Sequence, residues 1–93
     1  MFLHLGGDYN VLISDIIFIL DAQSILKSKS SIEFFKNADK NNKIIRLIEQ
    51  NPKSIIVTKF KDSFIVYYSP ISSLTLLKRA EVSNSAFLET EVI

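Results

Sequence analysis

The sequence predicts an α+β fold, a small and mainly antiparallel β-sheet with two short helices in a single domain. Three observations lead to this prediction. β-Branched and aromatic residues dominate from Val11 to Leu20 and again from Lys53 to Ser69. Apolar residues recur at helical spacing between these two stretches, and a second helical stretch follows Pro70. A chain of 93 residues has the length of one domain.

The chain opens with a predicted β-hairpin. Its first strand runs from Phe2 to Leu5, and Gly6-Gly7-Asp8 supplies the turn, because glycine readily adopts the positive φ of tight hairpin turns. The second strand begins near Tyr9. From Val11 to Leu20 the composition favours β structure over the alternative of one helix, with Ser14-Asp15 as a bulge or a corner between two strands.

A short helix is predicted from Ser31 to Ala38. Ser30 followed by Glu33 is a capping-box pattern. Apolar side chains recur within this segment at helical spacing, at Ile32, Phe35 and Ala38. After a polar turn, Lys43 to Glu49 fits either a short helix or a strand, and we predict a strand.

A long hairpin and a second helix are predicted in the last part of the chain. Lys53–Lys59 and Ser63–Ser69 form strands around Phe60-Lys61-Asp62. Both faces of each strand are largely apolar, which is typical of central strands or of strands covered by a partner.

The second helix follows Pro70, which ends the hairpin. Ser72 is its predicted N-cap, and Lys78 and Arg79 fall in its last turn. For Ala86 to Ile93 two alternatives stay open, an added strand or disorder.

Composition narrows the class of protein. The chain is 47% hydrophobic, more than so small a domain needs for its core, so we expect a homo-oligomer. It has no cysteine and no secretory-signal pattern, and its apolar runs fall short of the roughly 20 residues that span a bilayer. We therefore expect a cytoplasmic protein without a membrane partner.

No constellation of catalytic or metal-binding residues is visible in the sequence. His4 is the single histidine, and no cysteine or second histidine accompanies it to complete a zinc site or a base–nucleophile pair. The early aspartates lack the spacing of a calcium loop, and Gly6-Gly7 lacks the rest of a phosphate-binding loop. We expect no enzyme activity, no cofactor, no metal and no small-molecule substrate.

Basic residues are concentrated in the middle of a chain whose net charge is only +1. The simplest interpretation is a solvated surface, and the alternative is a surface that neutralises the phosphates of DNA. Between residues 27 and 61 three acidic side chains, Glu33, Asp39 and Glu49, stand against the basic set Lys27, Lys29, Lys36, Lys40, Lys43, Arg46, Lys53, Lys59 and Lys61.

Four motifs follow one another in a distinctive order. They are Phe2-Leu3-His4-Leu5-Gly6-Gly7-Asp8-Tyr9, Ser14-Asp15-Ile16-Ile17, Pro52-Lys53-Ser54-Ile55-Ile56-Val57-Thr58, and Tyr67-Tyr68-Ser69-Pro70-Ile71-Ser72-Ser73 with Thr75-Leu76-Leu77-Lys78-Arg79 behind it. In this order they resemble the Rem family of bacterial regulators of extracellular-matrix (biofilm) genes, and its B branch most closely. The resemblance predicts a regulatory domain over residues 1–80, with residues 81–93 as a C-terminal tail.

The resemblance implies a DNA-binding transcriptional regulator that acts as an oligomer on double-stranded DNA. The A branch of the family forms rings that bind DNA through basic residues on repeated loops. Where that branch carries Arg-Arg-Thr-Arg, this chain has Gln50-Asn51-Pro52-Lys53, and Asp15 replaces an arginine. The alternative is an oligomeric scaffold or partner protein that does not bind DNA. The candidate DNA-binding residues are Lys43, Arg46, Lys53, Lys78 and Arg79.

Overall fold

The structure is a computed structural model that describes residues 1–81. This part of the chain forms six strands and three α-helices. They are β1 (Phe2–Gly6), β2 (Tyr9–Leu12), β3 (Ile16–Asp21), α1 (Ala22–Ile25), α2 (Lys29–Lys40), β4 (Ile44–Arg46), β5 (Ser54–Phe60), β6 (Ser63–Ser69) and α3 (residues 73–81).

The main sheet has four strands in the order β3-β5-β6-β4. β5 pairs antiparallel with both β3 and β6, and β4 pairs parallel with β6. β1 and β2 form a separate antiparallel hairpin, in which Phe2 lies opposite Leu12. The prediction of a mainly antiparallel α+β domain is confirmed.

Apolar residues cover both faces of the main sheet. Neighbouring residues of a strand point to opposite faces, and Ile55 and Ile56 of β5 are both 0% exposed. Ile56 belongs to a core with the β1–β2 hairpin and Leu76 of α3. Ile55 belongs to a second core with Phe35 of α2 and Ala22 of α1. The strands that are apolar on both faces are therefore covered within the chain itself.

The first half of the chain follows the predicted order, except at the start of α2 and in one additional short helix. Ser14-Asp15 lies in a short 3-10 turn, Ile13–Asp15, which makes the predicted corner between β2 and β3. The predicted capping box at Ser30 is wrong, because α2 begins two residues earlier with Ser28 as its N-cap. Ser30 is the second residue of the helix, and its hydroxyl bonds to that of Ser28 at 3.1 Å.

α1 was not predicted. Asp21 ends β3 and caps this single turn, because its carboxylate accepts hydrogen bonds from the Ser24 backbone N–H at 3.0 Å and the Ser24 hydroxyl at 2.9 Å. A helix of four residues is too short to show a helical periodicity in the sequence. The apolar run from Ile16 to Leu20, which indicates a strand, precedes it directly.

The predictions for the second half agree with the structure where it describes the chain. The strand predicted within Lys43 to Glu49 is present as the three residues of β4. Ser72 caps α3, since its hydroxyl accepts a hydrogen bond from the Thr75 N–H at 3.2 Å. The prediction for Ala86 to Ile93 lies outside the described residues.

Two buried serines fix the start of α3 against the sheet. Ser54 donates its hydroxyl hydrogen bond to the Ile71 carbonyl at 2.7 Å. Ser69 donates to the Leu5 carbonyl and accepts from the Ile71 N–H at 3.0 Å. Beside them Gly6 has φ 132°, and a side chain there would place its Cβ 3.0 Å from Pro70. This junction therefore requires glycine.

No helix within residues 1–81 combines the length and the apolar character that crossing a membrane requires.

Candidate nucleic-acid interface

The structure places the five predicted DNA-binding residues in two separate groups. Lys43 lies just before β4, and Arg46 is the last residue of that strand. Lys53 lies just before β5, and Lys78 and Arg79 lie in α3. The two groups differ in whether other residues engage their charged ends.

Lys43 is held at the beginning of β6. Its Nζ donates a hydrogen bond to the Ser63 hydroxyl at 2.8 Å and lies 5.9 Å from the centre of the Phe64 ring. Its backbone N–H also bonds to the Ala38 carbonyl at 2.9 Å, which joins β4 to the end of α2. The ammonium group is thus directed toward the chain's own surface.

Arg46 forms a two-pronged ion pair with Asp39 of α2. Its two terminal nitrogens donate to the carboxylate at 3.1 and 3.2 Å, and its guanidinium lies 5.3 Å from the centre of the Tyr68 ring. The hydrogen bond from Arg46 lowers the pKa of Asp39, and the same bond raises the pKa of Arg46. Burial raises the pKa of the Tyr68 phenol. Part of the guanidinium's bonding capacity is therefore already used.

Lys53 is anchored by its backbone and exposed at its side chain. Its N–H donates to the Ser69 carbonyl at 2.9 Å, and its carbonyl accepts from the Ala22 N–H at 3.2 Å. The residue lines a cleft of about 620 Å³ together with Asn51 and Ser72, the N-cap of α3. Lys53 is therefore held at the same end of the sheet at which α3 begins.

Lys78 and Arg79 are exposed on α3, whose other side is fixed in the core by Leu76. They follow Ser72 by six and seven residues, a rise of about 10 Å along a helix axis. Within residues 1–81, no side chain forms a hydrogen bond or an ion pair with Lys53, Lys78 or Arg79. Lys53 lies between the start of α3 and α1 at one end of the sheet, and Lys78 and Arg79 lie further along α3.

The five residues lie at different places around β6. Lys43 bonds to Ser63 at the beginning of β6 and Lys53 bonds to Ser69 at its end, which is roughly 20 Å of strand. Arg46 pairs with Tyr68 on the other side of β6 from Lys53, and its guanidinium is bound to Asp39 of α2. The charged end of Lys43 is therefore separated from Lys53 along β6, and that of Arg46 is held by α2.

Sequence reasoning missed two features of this surface. Asp39 neutralises Arg46 from seven residues away, an ion pair that depends on how α2 packs beside β4. Phe34 is 47% exposed and stacks on Phe64 with ring centres 5.6 Å apart, beside an apolar groove of about 270 Å³. The adjacent Phe34 and Phe35 were an available signal, since neighbouring residues of a helix cannot both face the core.

No cluster of three or more His, Cys, Asp or Glu side chains that could hold a metal ion is found in residues 1–81.

Comparison with known proteins identifies the family. A sequence model of the RemA-like family, described as extracellular matrix regulatory protein A-like, matches residues 2–80. The chain belongs to the RemA-like family. It is also 40% identical to extracellular matrix regulatory protein B of Bacillus subtilis (strain 168) over 81 residues, which cover 87% of this chain and 91% of that protein. The family resemblance is confirmed.

The RemA-like match includes every candidate basic residue. Lys78 and Arg79 fall just inside its last matched position, and residues 81–93 lie beyond it. The family match therefore covers the six strands and nearly all of α3 that the structure describes.

Proposed function

We propose that this protein regulates extracellular-matrix genes by binding double-stranded DNA as a homo-oligomer. Its membership of a family of extracellular matrix regulatory proteins supports the regulatory role. The observation that carries the DNA-binding role is that Lys53, Lys78 and Arg79 are exposed and that no side chain of residues 1–81 bonds to their charged ends. Such cations can release counterions from DNA when they meet phosphates.

The number of contacts explains why an oligomer is part of the proposal. Three phosphate contacts in one subunit give a salt slope of only roughly −3, which is weak binding at physiological salt. Several subunits along one duplex multiply the contacts and add avidity. The net charge of +1 gives little long-range attraction, so the repeated local patch would supply the affinity.

Exposed apolar side chains support self-association. Phe2, Leu12 and Phe60 line a cavity of about 250 Å³ at the β5–β6 turn, and all three are exposed. On α3, Leu74 and Leu77 are exposed beside the buried Leu76. Apolar surface of this kind is typical of interfaces.

Lys43 and Arg46 have a smaller part in the proposal. To reach a phosphate, Lys43 would give up its bond to Ser63 and Arg46 would give up its ion pair with Asp39. Their predicted contribution to DNA binding stays a prediction, and we expect it to be smaller than that of Lys53.

Fluorescence anisotropy tests the proposal directly. A labelled A·T-rich duplex of promoter length is titrated with the protein at several salt concentrations, beside Lys53→Glu and Lys78→Glu. We expect affinity that falls steeply with salt and at least about a tenfold loss in each variant. Lys40→Glu is the matched control, because it reverses the same charge on α2, away from α3. Equal losses in all three variants would mean that only overall charge matters.

A second candidate function is an oligomeric scaffold or partner of a related regulator. It is favoured by the uncharged Gln50 and Asn51 ahead of Lys53 and by the exposed apolar residues around Phe60. This candidate predicts a stable oligomer in sedimentation velocity and no duplex binding at physiological salt. Steep salt-dependent binding in the anisotropy titration would exclude it.

A further inference from the structure

We propose that the outer edge of β3 pairs with the same edge of a second copy of this chain, in an antiparallel arrangement about a two-fold axis. The inference rests on the homo-oligomer of the proposed function and names the surface that joins two of its subunits. Three observations support it. They are the unprotected edge of β3, an apolar patch at that edge, and the charges near the two ends of the strand.

The outer edge of β3 lacks the usual protection of an edge strand. Among the strands of residues 1–81, β3 pairs within the sheet only with β5. It is six residues long, and Asp21 at its end is its single charge. Natural edges are short, charged or covered, because a long apolar edge invites another strand to pair with it.

The backbone hydrogen bonds show which amides of β3 face away from β5. The Ala22 N–H donates to the Lys53 carbonyl at 3.2 Å. In an antiparallel pair every second residue bonds to the same neighbouring strand, so Leu20 also bonds toward β5. Ile19 and Asp21 alternate with these residues. Their N–H groups therefore point outward, where another strand can bond to the edge.

An apolar patch lies at this edge. Ile17 is 50% exposed, Phe18 is 56% exposed and Phe34 of α2 is 47% exposed. A groove of about 270 Å³, lined by Phe18, Leu20 and Phe34, lies between β3 and α2. Phe34 stacks on Phe64 with ring centres 5.6 Å apart, so this side of the groove is held in place by the fold itself.

The area of the patch is sufficient for a dimer. Phe18 and Phe34 each expose about half of a side chain and Ile17 adds to them, so two subunits together offer roughly 600 Å² of apolar surface. An interface of which about 60% is apolar then has roughly 1,000 Å² in total, the lower limit for a specific interface. The unpaired backbone of β3 supplies part of the polar remainder.

Charge selects the register of the two strands. A two-fold axis at Phe18 would set Asp15 opposite Asp21 of the second copy, and like charges directly opposite each other are destabilising. An axis at Ile19 avoids this contact and brings the outward N–H groups of the two Ile19 residues together. Each Phe18 then lies opposite Leu20 of the second copy, which lines the groove of that copy.

The opposite edge of the sheet limits this contact to two copies. The joined sheets form one sheet of eight strands with β4 at both ends. β4 has only three residues, and the guanidinium of its last residue, Arg46, is bound to Asp39. A two-fold contact uses the same edge in both copies, so no β3 edge is left for a third.

Hydrogen exchange of the full chain tests the proposal. We expect the Ile19 and Asp21 amides to exchange at least about tenfold more slowly at high protein concentration than at low concentration. The Ala22 amide, which bonds to Lys53, is the control and should change little. Protection that is the same at every concentration would mean that the chain covers its own edge. That result, or no protection at high concentration, would overturn the proposal.

Cross-linking tests the geometry of the pair. The chain has no cysteine, so Phe18→Cys introduces a single thiol. About an axis at Ile19 the two Phe18 positions are diagonal neighbours about 7–8 Å apart, within reach of a short bifunctional maleimide. Gln23→Cys is the matched control, because it places the same thiol on exposed α1, beyond the end of β3. Equal cross-linking of both thiols would contradict the β3 contact. If neither thiol cross-links, exchange in the unsubstituted chain decides, since Phe18→Cys removes part of the patch.

The outcome is separable from that of the DNA-binding test. Lys53→Glu should leave the concentration-dependent protection of β3 unchanged. Protection without duplex binding would overturn only the DNA-binding role. A stable oligomer in sedimentation velocity whose Ile19 and Asp21 amides stay unprotected would overturn only the β3 contact.

Discussion

The two edges of the main sheet differ in every property that controls strand pairing. β4 is three residues long, begins after Lys43 and ends with Arg46, whose guanidinium is bound to Asp39. β3 has twice that length, and its exposed side chains other than Asp21 are apolar. Charge and shortness close an edge against new strands. One edge of this sheet is therefore blocked, and the other is suited to receive a segment.

The difference follows from what packs behind each edge. α2 crosses beside β4 and brings Asp39 to Arg46, while Phe35 of the same helix contacts Tyr68 edge to face at 6.3 Å between ring centres. The beginning of α2 lies beside β3 and supplies only Ser30, Ser31 and the phenylalanines of the groove. A single helix thus closes one edge and leaves the other apolar.

The largest expected effect comes from removing a buried side chain from β5, the strand with which β3 pairs. Ile55 is fully buried in β5, next to Leu20 of β3 across the pair. Ile55→Ala leaves a cavity and should lower the free energy of unfolding by about 2–5 kcal/mol in a urea titration. Ile17→Ala, at an exposed β3 position, should change it by less than about 0.5 kcal/mol. Similar losses in both variants would show that Ile17 is more buried than its exposed fraction of 50% indicates.

The next effect concerns self-association through the outer edge of β3. Phe18→Lys adds a positive charge to β3 and should reduce association of the chain in sedimentation velocity. Gln23→Lys adds the same charge on exposed α1 and should not. Equal behaviour of the two variants would contradict the assignment of β3 as the reactive edge.

A smaller effect is expected at the other edge of the sheet, which is formed by β4. Arg46→Gln removes the charge from β4 and leaves Asp39 without its partner, so we expect a slight loss of stability in chemical unfolding. Association of the chain should not rise, because three residues offer too little backbone for a new strand. A rise in association of this variant would show that charge alone closes this edge.

The smallest expected effect is the pH dependence of the Asp39–Arg46 pair. Because the folded pKa of Asp39 lies below its ordinary value of 3.8, the pair stabilises the fold fully above that value. The stabilisation is lost as the pH falls through the lowered folded pKa. An NMR titration of the Asp39 carboxyl should show the lowered pKa, and Arg46→Gln should return it toward 3.8. An unchanged Asp39 titration in that variant would contradict the ion pair as its cause.

Local signals in the sequence predicted the β5–β6 hairpin and the Ser72 cap, because Pro70, Ser72 and the two apolar runs act over a few residues. The start of α2 at Lys29 and the parallel pairing of β4 were not predictable in this way, since both depend on packing.

The same limit applies to the candidate site. Charge counting along the sequence grouped Lys43 with Lys53, but it cannot show that their contacts lie at opposite ends of β6. The ion pair of Arg46 was hidden for the same reason, because Asp39 is only one of the acidic residues in a basic stretch. Composition gives the residues of a surface, whereas the fold decides which of them share it.

The buried hydrogen bond from Ser69 to the Leu5 carbonyl joins residues 64 positions apart. During synthesis on the ribosome, the β1–β2 hairpin emerges long before β6, and an isolated two-stranded hairpin is at best marginally stable. Its core partners Ile56 and Leu76 also come late in the chain. We therefore expect β1 and β2 to remain unfolded until nearly the whole domain has left the ribosome. Folding of this domain should then occur late in translation and in a single cooperative step.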